Sequence, residues 1–337
     1  MKRVLLSTAT ICAIISTTSL ADVSIKSKAA ILKFSGKHYI GFVHDNSEKK
    51  DANSYFETRR NYLQVKAYFK ENSKDHLRIT LDTKTSSSGE VNVRLKYAYL
   101  YLADILPYTS VKFGQAHRPW IDYNTKTGWL YRSIAKSFTE EKLGANLTSS
   151  TDKGINFNTK IGNFSSEVGI FNGEGYSSKD TDGKNGLSYE WRFTSHIYKA
   201  KTAYADISFM GAYNTKTLKN DEDLLWYGIN ALYSQPKFLI AGTFVKTNDA
   251  GVDNNKKTGS GWSINGSVKI LPKTSLLARF DNFKSDNKKT RQEYIAGVGY
   301  KYTKNIQFIA NVFHADPDKD TKNDAKNRYM LTAEVKW

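Results

Sequence analysis

The chain has 337 residues, 50 Lys+Arg against 33 Asp+Glu, a net charge of +17 and 13% aromatics. That aromatic content, with only 5 prolines, excludes a disordered chain. A mean hydropathy of −0.55 excludes a bundle of membrane helices, each of which needs about 20 apolar residues.

The N-terminus reads as a secretory leader over residues 1–21. Lys2 and Arg3 give the positive start, Val4 to Leu20 a mostly apolar stretch, and Ser19-Leu20-Ala21 the small residues that a signal peptidase reads. The expected mature chain, 22–337, is one domain of net charge +15, since Lys2 and Arg3 leave with the leader. Cys12, the one cysteine, leaves too, so stability cannot come from disulfides.

Beyond the leader the chain scans at period two, the spacing of strands with one apolar face. Strands are predicted at 30–43, 56–70, 75–85, 91–103, 109–116, 153–161, 164–172, 187–199, 203–214, 223–235, 237–246, 260–270, 275–284, 291–302, 305–315 and 327–337. Apolar rows run through Leu63, Val65, Ala67 and Phe69, and through Val93, Leu95, Tyr97, Tyr99 and Tyr101. The last strand sets Tyr329, Leu331, Ala333, Val335 and Trp337 against Arg328, Met330, Thr332, Glu334 and Lys336. Two strands alternate less cleanly, because Leu239 and Ile309 fall on the polar side. Tyr97, Tyr101, Trp191, Trp262, Tyr302 and Trp337 lie towards strand ends, where interfacial girdles sit.

Every other connection is short, as at 72–74, 162–163, 236 and 303–304, while those between are long and polar, as at 44–55, 173–186, 247–259 and 316–326. Loops sorted by parity mark an all-β fold, a transmembrane antiparallel β-barrel of about 16 strands with both termini on one side. A closed sheet leaves no backbone group unpaired in lipid, and a barrel this wide encloses water. The expected location is therefore the bacterial outer membrane, among its lipids and lipopolysaccharide.

The third long loop, His117 to about Asp152, is too long to be idle and is expected to fold inward and narrow the pore. It brings Arg118, Arg132 and Lys136 to the constriction, with Glu140 and Glu141. If the apolar rows face lipid, the opposite rows line the lumen with Arg60, Lys66, Arg78, Arg94, Lys96, Lys112, Lys160, Arg192, Lys269, Arg279, Lys301, Arg328 and Lys336. Against these stand Asp82, Glu167, Glu190, Asp206, Asp281, Glu293 and Glu334. Cations predominate, so the expected solutes are small anions. The anion path is assigned to Arg118, Arg132, Lys136, Lys66, Arg94, Lys96, Arg192 and Arg279.

The segments FETRRNYLQVKAYFK at 56–70, NVRLKYAYLYL at 92–102, VKFGQAHRPW at 111–120 and FNGEG at 171–175 resemble the phosphate-selective porin family, porins O and P. The resemblance covers much of the N-terminal half and implies a homotrimer of sixteen-strand barrels narrowed by the third loop. Phosphate-selective members use closely spaced lumen arginines. Here Arg192 and Arg279 are isolated, so general anion permeability is expected rather than phosphate specificity.

No enzyme is indicated. The six histidines are scattered, without metal-ligand spacing, and no cofactor motif is present. Asp180-Thr181-Asp182-Gly183 resembles the start of a calcium loop, but Lys184 replaces the next ligand. Nucleic acid is not expected, since no basic helix or stacking platform accompanies the charge. Tyr329, Leu331, Val335 and Trp337 form the aromatic C-terminal strand that outer-membrane insertion machinery is expected to read. Two other functions fit the same barrel: a substrate-specific channel for phosphate or an organic anion, and a plugged adhesin or structural anchor.

Overall fold

The computed structural model describes residues 23–47, 52–85, 89–173, 175–176, 186–215, 223–248, 258–285, 290–316 and 325–337. The expected leader and the calcium-like segment at 180–183 lie outside the described residues. A short strand, β1 (Val23–Lys26), comes first, then β2 (Ala30–Asp45), β3 (Asn53–Phe69), β4 (His76–Thr85), β5 (Val91–Leu106) and β6 (Thr109–His117). A helix, α1 (Pro119–Thr127), opens the third loop. Then follow β7 (Thr151–Ile161), β8 (Phe164–Phe171), β9 (Ser188–Lys199), β10 (Tyr204–Asn214), β11 (Leu224–Gln235) and β12 (Phe238–Asn248). The chain ends with β13 (Gly259–Leu271), β14 (Thr274–Ser285), β15 (Thr290–Lys301), β16 (Ile306–Asp316) and β17 (Lys326–Lys336).

Each of β2 to β17 pairs antiparallel with the next, and β17 closes on β2 with Arg328 opposite Asp45 and Lys336 opposite Lys37. The result is a closed sixteen-strand barrel whose strands match the sequence expectation to within three residues. The outward rows, such as Leu63, Leu95, Phe113, Ile264, Val298 and Leu331, stand exposed. They are the apolar rows that lipid requires.

Two elements were not foreseen. The first is α1, which begins on Pro119, where the missing N–H costs nothing, and carries an Asp122–Lys126 ion pair of 2.7 Å one turn apart. The second is β1, which pairs with Ile31 to Phe34 on the same edge of β2 that β17 uses from Lys37 onwards. Trp337 fills the gap between them: its carbonyl accepts from the Gly36 N–H at 2.8 Å, and its indole donates to His38 Nε2 at 3.0 Å. Any Cβ on Gly36 would run into the Trp337 ring, so that glycine permits the close approach.

Two β-bulges correct the sequence reading of the faces. Opposite Tyr39 and Ile40, β3 offers Arg60 and Thr58, leaving Arg59 as the extra residue. Opposite Thr80 and Leu81, β5 offers Tyr97 and Leu95, leaving Lys96 extra. A bulge reverses the alternation beyond it. Tyr97 and Tyr99 are therefore buried on the lumen side at 5% exposure, with Tyr101 packed beside them, and do not continue the outward row of Val93 and Leu95. Tyr97 and Tyr101 accordingly belong to the lumen and not to a lipid-facing girdle.

Candidate functional site

The third loop folds into the lumen and is tied at its neck, along its body and at its tip. At the neck, Arg118 sits 2% exposed beside the paired His117 and Thr151. It binds Asp152 at 2.6 Å and Glu190 of β9 at 2.9 Å, and donates to the Gly173 carbonyl at 3.0 Å. Removing either partner of so buried a pair strands the other charge.

Along the body, α1 lies over β8 and β9. Asp122 meets Lys112 of β6 at 3.1 Å, and Lys112 also holds Glu167 of β8 at 2.9 Å. Burial pushes the Asp122 carboxyl up, but Lys112, His117 and Lys126 outweigh it and hold the group well below the usual carboxylate range. Tyr123 donates to Asp206 of β10 at 2.5 Å, and Arg192 lies 4.8 Å from the centre of its ring.

Apolar contacts do most of the docking. Trp120, Ile121, Phe138 and Leu147 pack on Met210, Ala212, Trp226, Val245 and Phe283. Trp129, Tyr131, Ile134 and Ala135 pack on Leu277, Ile295, Ile309, Phe313, Met330 and Val43. Each side chain of this size that docking takes out of water contributes about 1.5–3 kcal/mol. Ile309, an irregularity in its strand when read by period, is fully buried under the loop.

The tip is held by arginines that donate to loop carbonyls. Arg59 reaches Ser133 O at 2.7 Å, Arg279 reaches Lys136 O, and Arg291 reaches Lys142 O at 3.3 Å. Within the loop, Arg132 grips Glu140 with both guanidinium nitrogens, at 2.5 and 2.7 Å. Burial raises the Glu140 carboxyl, but Arg132 outweighs that and holds it at about 2.

The residues assigned to the anion path fall into two groups. Arg118, Arg132, Arg192, Arg279 and Arg94 all stand beside carboxylates, with Arg192 4.0 Å from Glu167, Arg279 2.9 Å from Asp281 and Arg94 3.1 Å from Asp82. Lys96 is wholly buried, donating to Ser150 Oγ at 2.5 Å with its amine 3.5 Å from the centre of the Tyr176 ring. Lys136 stands exposed at the loop tip. Lys66 has Lys33 directly opposite it on β2 and Arg78 on β4, three cations in a row on the lumen face.

Between the loop tip and the wall of β2, β3 and β17 lies a chamber of about 340 Å³. Its cations are Arg59, Arg60, Arg132, Lys136 and Arg328, and its acids Glu57 and Glu141. Arg59 was missed because simple alternation puts it in lipid. An arginine on a lipid face is costly, so the Arg59-Arg60 tandem was itself the sign of a bulge.

No known protein family matches the chain at the sequence level, and no curated protein does. Solved structures match its fold. The anion-selective porin from Comamonas acidovorans superposes with a TM-score of 0.70 at 10% identity, covering 91% of this chain and 100% of that one. The outer membrane channel DcaP of Acinetobacter baumannii gives 0.69 at 14% identity, covering 93% and 99%. The trimer form of OmpT, an outer membrane protein of Vibrio cholerae, gives 0.63 at 15% identity, covering 92% and 100%. The chain has the fold of the outer-membrane β-barrel porins and channels.

Proposed function

We propose that this barrel is an outer-membrane diffusion channel for small hydrophilic solutes, with a preference for anions and no catalytic activity. The observation that carries the reading is the chamber at the loop tip, lined by five cations and two carboxylates, where the balance stays positive when the Glu140 and Asp45 partners of Arg132 and Arg328 are counted as well. Low-dielectric walls focus the field of such charges, so their summed sign sets the favoured ion. In a planar bilayer under a KCl gradient, the reversal potential should carry the sign for chloride passing faster than potassium. The preference should be clear near 0.1 M salt, where screening acts over about 10 Å, and should fade towards 1 M. A cation-selective current would overturn the anion preference, and the absence of conductance would favour a plugged anchor.

By analogy with the trimer form of the Vibrio barrel, the protein is read as a homotrimer, and unheated gel mobility tests this. Export through a cleaved leader accords with residues 1–21 and is tested by sequencing the mature N-terminus. The C-terminal row Tyr329, Leu331, Val335 and Trp337 is read as the assembly signal. Deleting Trp337 should lower the heat-modifiable fraction recovered from membranes, and undiminished assembly would count against that role.

A further inference from the structure

The chamber at the loop tip has two unlike sides. One is cationic, with Arg59, Arg60, Arg132, Lys136 and Arg328. The other is made by Val43, Ile134, Ala135 and Met330, together with the rings of Tyr39 and Tyr55. A bare inorganic anion uses only the first side and gains nothing from the second. The chamber of about 340 Å³ has room for a compact organic molecule.

Arg60 is built to meet an anion. Among the described residues it has no carboxylate partner, unlike Arg59, Arg132 and Arg328, which bind Glu57, Glu140 and Asp45. Its guanidinium is held by aromatic faces, 5.6 Å from the Tyr39 ring centre and 4.7 Å from that of Tyr62. This fixes the group in place without cancelling its charge. Among the described residues the hydroxyl of Tyr39, which lines the chamber and is 3% exposed, has no hydrogen-bond partner. Buried hydroxyls normally have partners, and a carboxylate, which only accepts, would supply one.

We infer that this chamber binds small organic carboxylates with an apolar body, its charge on Arg60 and its body against Ile134 and Met330, in preference to phosphate. The inference rests on the reading of the barrel as an anion channel and adds a solute class to it.

The test is block of the chloride current through full-length protein in planar bilayers by benzoate, acetate and inorganic phosphate. Benzoate should block at a concentration roughly tenfold below acetate or phosphate, because acetate has the charge without the body. Tyr39→Phe, which removes only a hydroxyl, should weaken benzoate block several-fold, and Met330→Ser should narrow the gap between benzoate and acetate. Phosphate blocking more tightly than benzoate would overturn the inference, as would equal block by benzoate and acetate. An anion-selective channel that none of the three blocks would remove the site but keep the channel, whereas a cation-selective one would fail the underlying reading itself.

Discussion

From β10 to β17 the inner wall presents Met210, Trp226, Val245, Leu277, Ile295, Ile309 and Phe313, and the third loop lies on them. From β3 to β5 the same inner face presents Arg60, Lys66, Arg78, Arg94 and Lys96 among tyrosines. That wall meets the loop through polar contacts such as Arg59 with Ser133 O and Lys96 with Ser150 Oγ. The difference comes from water. The hydrophobic effect acts inside a wet lumen but not between apolar groups already in lipid, so inward apolar side chains make a dock and inward charges keep a passage open.

The comparison breaks most completely if the dock loses its occupant. Removing residues 123–137 should expose the apolar wall and raise single-channel conductance by roughly twofold or more, with weaker size exclusion. Unchanged conductance would mean that the loop does not narrow the conducting path.

A smaller effect is expected from one anchor. Trp129 is 2% exposed, lies within the larger apolar cluster and donates from its indole to Ala135 O at 2.9 Å. Truncating such a residue costs about 3–5 kcal/mol. Trp129→Ala should therefore leave the barrel assembled but make the open-channel current flicker as the tip detaches. Quiet currents in that variant would show that the arginine ties suffice.

The smallest effect comes from acid. The Glu140 carboxyl is held at about 2, against 4.5 for the free group. The stabilisation that its ionised form gains, chiefly from Arg132 and also from Lys136 and Lys96, is fully present above pH 4.5 and is lost as pH falls towards 2. Conductance noise from the loop tip should therefore stay flat from pH 7 to 5 and rise only in strong acid. A rise already near pH 6 would assign control to another group.

Period-two alternation made the strands legible, because lipid on one face and water on the other impose the pattern directly. The third loop was legible by length and position. Its route was not, since apolar residues on lumen faces, such as Leu239 and Ile309, looked like imperfect alternation; Ile309 marks the dock itself, and Leu239 is buried at 6% exposure. The bulges at Arg59 and Lys96 were missed because they depend on cross-strand register, which pairs residues far apart in sequence. The row Ala98, Leu100 and Leu102 on the supposed lumen face of β5 was a local sign of the second. The acids that neutralise Arg118, Arg192 and Arg279 were placed on the correct face, but counting signs could not show which cations they would silence.

The seam at β2 has a bearing on the order of synthesis. Trp337 donates to His38 across 299 residues of sequence, and β17 covers the part of the β2 edge that β1 leaves open. The first barrel strand to leave the ribosome thus waits for the last one made. Until then its edge is an unpaired template for the strands of any other chain. Such a barrel has no useful half-built stage: a chain cut short within its last strand is a sheet with two open edges, destined for degradation or aggregation.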